Sequence, residues 1–140
     1  MAIEYQLYLT SDATTAAALE LIEEALAAPR SSDEPVDFVV SAMMFDEMGQ
    51  RIIEEWLGMR PTASINIRVQ SHDTTTATMN LLHQVSTLLP NVAGDVALIN
   101  NHERAWLVRR SDVTLVKADL PPRFLASLVG PFQSADLPAD

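Results

Sequence analysis

The sequence contains no cysteine, so disulfide bonds, thiolate metal sites and cysteine nucleophiles are excluded. Its four glycines form no phosphate-binding or dinucleotide-binding loop, and none is placed to make the G-x-S-x-G turn of many hydrolases. No apolar run is long enough to span a bilayer, and the first residues lack the basic and apolar regions of a signal peptide. These absences predict a cytoplasmic protein.

Basic residues are scarce. The chain has 9 Lys and Arg against 19 Asp and Glu, a net charge of −10. The imbalance is concentrated in residues 1–60, which carry 12 acidic and 3 basic side chains, whereas residues 61–140 carry 7 and 6. This charge disfavours nucleic acid and anionic membranes as partners. It favours a basic partner, although an acidic surface also serves solubility alone.

Histidines and paired carboxylates are present but do not form a catalytic motif. His72, His83 and His102 are far apart in the sequence, and none lies in an H-E-x-x-H pattern. The neighbouring acids Asp46-Glu47 and Glu54-Glu55 lie on a predicted helix, where adjacent residues point in different directions. We therefore expect no metal site, no cofactor and no enzymatic activity.

The length of 140 residues and the hydrophobic share of 48% fit one globular domain. A domain of this size buries about two-thirds of the surface that its unfolded chain exposes, which is enough for stability without disulfides. We assign residues 1–129 to a single α+β domain. Residues 130–140, which contain two prolines and several small polar residues, are predicted to be a flexible C-terminal tail.

Alternating apolar and polar residues predict the first three strands, and apolar residues at helical spacing predict the helices between them. Strands are expected at residues 3–9, 36–42 and 63–70. The predicted helices run from Asp12 or Thr14 to about Ala28, from the Asp46 cap to Leu57 with Gly58 closing it, and from the Asp73 cap through residues 74–89.

The residue pattern in the last third of the chain predicts an antiparallel meander followed by a helical turn. Strands are predicted at residues 95–99, 104–110 and 113–117, and the turn begins at Pro121-Pro122 and extends through Leu128. The order of elements predicts an α+β fold of two layers, in which a mostly antiparallel sheet has its helices packed on one face.

Trp56 and Trp106 are the only tryptophans, and each has two interpretations. A tryptophan either fills the core or serves as a rigid anchor in a binding surface. Trp106 lies in a predicted strand and is expected in the core. Trp56 follows Glu54 and Glu55 at the end of the short helix, where an exposed ring edge would suit a basic partner.

One region resembles a known family. It begins with Glu55-Trp56-Leu57-Gly58-Met59-Arg60-Pro61-Thr62, continues through the strand at residues 63–69 and the helix at residues 74–89, and ends with Gly94-Asp95-Val96-Ala97-Leu98-Ile99. This pattern is similar to the immunity proteins of bacterial swarming-inhibition (Sit) lipoprotein-toxin systems. The resemblance extends from the first strand to about Lys117.

The resemblance implies a cytoplasmic protein that binds and neutralises a cognate toxin domain and has no catalytic residues. It assigns no role to any individual residue. The charge pattern adds a hypothesis for the site, in which a basic toxin docks on Asp46, Glu47, Glu54 and Glu55 with Trp56 as anchor. The oligomeric state is left open.

Two other classes of function stay open. A small-ligand-binding or regulatory domain would use the open face of the sheet, and a large apolar cavity would favour it. An enzyme that uses acidic residues would require convergent carboxylates with raised pKa values.

Overall fold

The computed structural model describes residues 3–10, 20, 37–70 and 73–137. The helix predicted between Asp12 and Ala28 falls almost wholly outside these residues, as does His72. The described strands are β1 (Ile3–Leu9), β2 (Asp37–Met44), β3 (Ala63–Gln70), β4 (Val96–Asn100), β5 (Arg104–Arg110), β6 (Val113–Lys117) and β7 (Gln133–Ala135). The described helices are α1 (Glu47–Leu57), α2 (Thr74–Leu88), a short 3₁₀ helix (Leu89–Asn91) and α3 (Pro122–Ala126).

The seven strands form one sheet in the order β2-β3-β1-β4-β5-β6-β7. Every neighbouring pair is antiparallel except β6 and β7, which are parallel. The predicted mostly antiparallel sheet is confirmed, including its β4-β5-β6 meander. Because β1 is antiparallel to both β3 and β4, those two strands run in the same direction, and α2 connects them as a split βαβ unit.

One face of the sheet, the α2 face, carries the larger apolar cluster. Tyr5 and Leu7 of β1 lie opposite Ile67 and Ile65 of β3, and all four point to this face. Leu81, Leu82 and Val85 of α2 belong to the same buried cluster. Their spacing along the helix matches its period, so α2 buries one continuous stripe against the sheet.

The opposite face, the α1 face, is also covered by a helix. Ile53 and Leu57 of α1 form a second buried cluster with Tyr8, Ala97 and Ile99 from β1 and β4. Successive residues of a strand point to opposite faces, so this cluster lies across the sheet from the first. The expectation that the helices pack on one face therefore does not hold for α1.

The sequence already contained the reason for this second layer. Val96, Ala97, Leu98 and Ile99 are all buried, so β4 is apolar on both sides and needs cover on both. Tyr8 falls at a polar position of the alternating pattern in β1, yet its ring is only 5% exposed. An aromatic ring at such a position supplies the apolar surface on which α1 rests.

Cover on the α1 face ends part of the way along β3. Ser64 is 3% exposed, Asn66 is half-buried and Arg68 is exposed, although all three point to the same face. The expected open sheet face therefore includes the end of β3 that carries Asn66 and Arg68.

The C-terminal segment contains a strand that the sequence pattern did not predict. Residues 133–135 form β7, which pairs with β6, and the Ala118 amide donates a hydrogen bond to the Ala135 carbonyl at 3.0 Å. These residues lie within the segment assigned to the tail. Three residues are too few to show an alternating pattern, so the pairing depends on contact with β6.

Candidate functional site

The α1 helix has the boundaries that its capping residues predict. The Asp46 carboxylate accepts a hydrogen bond from the Gly49 amide at 2.7 Å, which satisfies a backbone donor in the first turn. Gly58 adopts a left-handed conformation with φ 71°, and its amide donates to the Glu54 carbonyl. All five residues of the predicted docking site therefore lie on one helix and its cap.

Gly49 looks like a weak point in the helical pattern, and the structure explains it. A Cβ at this position would lie 2.9 Å from the Phe45 ring. Phe45 packs edge-on against Tyr8, with ring centroids 5.2 Å apart. Glycine allows this ring to fit beneath the start of α1 and thereby anchors the helix to the sheet.

Two of the four predicted acids form ion pairs. Glu54 lies 3.0 Å from the Arg60 guanidinium, and Glu47 lies 3.9 Å from that of Arg51. Glu55 is exposed and has no ion pair among the residues that the structure describes. The α1 surface is therefore less negative than its count of carboxylates suggests.

Both tryptophans pack partly into the core. Trp56 is half-buried and packs against the α1-face cluster, so it contributes to the core and also presents surface. Trp106 packs against the α2-face cluster, edge-on to Tyr5 at 5.3 Å and stacked with Phe124 at 5.9 Å. The structure thus places Trp56 between the two interpretations of the sequence, and Trp106 closer to the core.

Sequence reasoning missed a group of exposed apolar side chains around α1. Met43 is 58% exposed, Met48 is 72% exposed and Ile52 is 53% exposed. By helical spacing, Met48 and Ile52 fall on the same broad apolar stripe of α1 as Ile53 and Leu57, but only the latter two are buried. The apolar stripe of α1 is wider than the contact of this helix with the sheet, and this excess width is the feature of the sequence that indicates exposed apolar side chains.

The two flanks of α1 have different surroundings. On one flank, Gln50 donates a hydrogen bond to the Pro61 carbonyl at 2.9 Å, and Glu54 pairs with Arg60. Each residue of an α-helix turns by about 100°, so Ile52 lies roughly 160° from both Gln50 and Glu54. Its flank therefore faces away from the segment that precedes β3.

A polar cluster around the buried Gln6 lies beside Asn66, at the exposed end of β3. Gln6 is 1% exposed; its side-chain oxygen accepts from the His102 amide at 2.8 Å, and its nitrogen donates to Asn66 at 2.9 Å. The ring of His102 lies 3.1 Å from the Gln6 side-chain nitrogen and 3.7 Å from Glu4. These bonds tie β1 to the β4–β5 turn, so Gln6 is satisfied by structural contacts.

A cavity of about 350 Å³ lies on the α2 face, between β5, β6 and the segment that follows α3. Leu107 and Val116 form part of its floor, and Leu128 and Phe132 form part of its wall. The guanidinium of Arg109, also at this cavity, donates hydrogen bonds to the carbonyls of residues 89, 92 and 94. Burial lowers the pKa of Arg109, and the nearby Asp95 and Asp112 oppose that shift.

The described residues contain no group of three or more His, Asp or Glu side chains that is placed to hold a metal ion. Within the same part of the chain, no helix has both the length and the apolarity to cross a bilayer.

A family model described as SitI3-like matches residues 3–121, which include every element from β1 to β6. The chain belongs to the SitI3-like family. The match confirms, at the level of the family, the resemblance to Sit immunity proteins carried by residues 55–99, and the family name suggests an immunity protein. No curated protein and no solved structure matches the chain.

Proposed function

We propose that this protein is a cytoplasmic immunity protein that binds a cognate toxin domain and neutralises it without catalysing a reaction. The observation that carries the proposal is the SitI3-like match over residues 3–121. Membership of an immunity family implies a toxin as partner in general terms. The cytoplasmic location, the basic character of the toxin and the docking site are parts of the proposal.

The contacts of the polar side chains favour binding over catalysis. Asp46 caps a helix, Glu47 and Glu54 pair with arginines, and Gln6 is held by Asn66 and the β4–β5 turn. A general acid or base needs a carboxyl or imidazole placed beside a reacting group in a pocket. The carboxylates of α1 instead lie on a helix surface.

The proposed docking site is the outer surface of α1, with Asp46, Glu47, Glu54, Glu55 and Trp56. Opposite charge on the toxin would raise the association rate and reject wrong partners. The net charge of −10 supports a protein partner of basic character and disfavours nucleic acid and membrane.

The test is protection combined with direct binding. The protein encoded beside this gene is expressed in a sensitive bacterium with and without this chain, and binding of the two purified proteins is measured by calorimetry. We expect growth to be restored and a complex of the two proteins to form. Growth arrest that persists in the presence of this chain, together with no measurable binding, would refute the proposal.

A second function, small-ligand binding, is favoured by the cavity of about 350 Å³ beside Leu107 and Phe132. Its volume falls within the usual range for ligand sites, roughly 300 to 1,000 Å³. A screen of small amphipathic molecules by thermal shift tests it. Leu107→Ala alters the floor of the cavity and serves to check that any hit binds there.

A further inference from the structure

Three large apolar side chains on the α1 face, Met43, Met48 and Ile52, are exposed, and we call this group the apolar strip. They are 58%, 72% and 53% exposed. Single exposed apolar side chains are common, but three large ones within ten residues, on one face of a sheet and its covering helix, mark an interaction surface.

The apolar strip lies on the α1 face of the molecule. Met43 pairs with Ser64 in the register of β2 and β3, and Ser64 is on the same face as Tyr8 beneath α1. Met48 and Ile52 are one helical turn apart on the flank of α1 that faces away from Arg60 and Pro61. All three residues therefore lie on the α1 face but outside the buried contact between α1 and the sheet.

Carboxylates stand at both ends of the helical part of the strip. Asp46 and Glu47 precede Met48 directly, and Glu55 follows Ile52 by three residues, nearly in line with Met48 along the helix. Arg51 is paired with Glu47. An apolar centre with an acidic rim fits a surface that has an apolar centre and a basic rim.

We infer that the apolar strip is the hydrophobic centre of the toxin contact, and that the toxin meets it with an apolar ridge bordered by Lys or Arg. This inference rests on the proposed function and adds the chemistry of the partner surface. Methionine side chains are flexible and polarizable, so they adapt to the shape of a partner. Buried apolar contacts act mainly on the dissociation rate, whereas the rim charges act on the association rate.

The apolar strip can be removed with little effect on the fold, because Ile53 and Leu57 make the contact between α1 and the sheet. The test variant carries Met43→Thr, Met48→Gln and Ile52→Gln, which keep the strand and helix preferences of these positions. The matched control is Val113→Thr, since Val113 is 45% exposed and lies on β6.

Binding kinetics of each variant to the protein encoded beside this gene are measured at low and high salt. We expect the triple variant to dissociate at least about tenfold faster, as removal of a hot spot does, at both salt concentrations. The control should bind as the parent does. Unfolding midpoints of the triple variant and the control should agree.

Each other outcome overturns the inference in a recognisable way. Tight binding by the triple variant places the contact elsewhere and leaves the proposed function intact. A parent dimer that the triple variant converts to a monomer assigns the strip to a second copy of the chain. A lower unfolding midpoint in the triple variant alone assigns it to contacts within the chain. Failure of the parent to bind refutes the proposed function as well.

Discussion

Tyr5 shows how one buried polar side chain is accommodated in this core. Its ring is 1% exposed, and its hydroxyl lies 2.9 Å from that of Thr78 on α2. Burial raises the pKa of Tyr5, and the hydrogen bond to Thr78 opposes the shift only in part. The hydroxyl thus gives β1 and α2 a specific polar contact within an apolar layer.

This geometry predicts a loss of stability at alkaline pH. The folded state holds Tyr5 neutral, whereas in the unfolded chain it ionises near its ordinary pKa of 10.0. The neutral Tyr5 therefore makes its full contribution to the free energy of unfolding below pH 10, and this contribution is lost as pH rises through the raised pKa of the folded state. Urea unfolding at pH 7 and pH 10.5 should show that the free energy of unfolding falls less between these pH values for Tyr5→Phe than for the parent.

At pH 7 the same variant should lose about 1 kcal/mol, the usual net value of one hydrogen bond. Thr78→Val serves as a control because it removes the partner of the hydroxyl and leaves Tyr5 able to titrate. Equal alkaline losses in the parent and Tyr5→Phe would show that Tyr5 ionisation does not govern this transition.

At the scale of the element, α2 depends on its cap. Asp73 accepts hydrogen bonds from the hydroxyl of Thr76 at 2.6 Å and from its amide at 3.0 Å. These hydrogen bonds lower the pKa of Asp73 below its ordinary value of 3.8, and the bond from the hydroxyl has the larger effect. Since α2 supplies much of the cluster on its face, its start affects the whole layer.

The cap predicts a defined response to acid. Because the pKa of Asp73 is lower in the folded state, the charged cap stabilises the protein above about pH 3.8 and ceases to do so as pH falls through the depressed pKa. Asp73→Asn keeps a capping side chain but does not titrate. Its melting temperature should therefore fall less than that of the parent between pH 5 and pH 2.5. Identical acid profiles in Asp73→Asn and the parent would contradict this role.

The sequence located most elements correctly for a local reason. The predicted bounds of β1, β3, β5 and β6 agree with the structure because alternation and turn residues define both ends of each strand. The caps Asp46, Gly58 and Asp73 likewise act through neighbouring backbone groups. Such features depend on a few adjacent residues and can be inferred without knowledge of the fold.

Features that depend on distant contacts were missed. Met48, Ile52, Ile53 and Leu57 all fall within one broad apolar stripe of α1, and only the position of β1 and β4 decides that Ile53 and Leu57 are the buried ones. β7 likewise forms because β6 offers it an edge. The acids of the candidate site were proposed from charge alone, but the pairing of Glu47 with Arg51 and of Glu54 with Arg60 required the fold.

At the scale of the molecule, the charge of −10 has two interpretations that the structure makes separable. Either the net charge of the whole chain attracts a basic partner, or the local charge of the carboxylates on α1 does so. Two variants of equal net charge distinguish them. One replaces Asp46, Glu47, Glu54 and Glu55 by the corresponding amides, and the other does the same at four exposed acids elsewhere, Glu103, Asp112, Asp119 and Asp136.

We expect the α1 variant to associate with the toxin several-fold more slowly at low salt, whereas the matched variant should change the rate much less. Local charges act over a Debye length of about 10 Å at 0.1 M salt and about 3 Å at 1 M, so the difference should disappear at high salt. Replacing Glu47 and Glu54 also leaves the positive charges of Arg51 and Arg60 without their ion-pair partners near the contact. Asn at position 46 keeps the cap of α1, so a slower rate would not come from a frayed helix.

Stopped-flow association at several salt concentrations measures the effect. Equal slowing in both variants would assign the steering to total charge, and no slowing in either would move the contact towards the open sheet surface around Arg68.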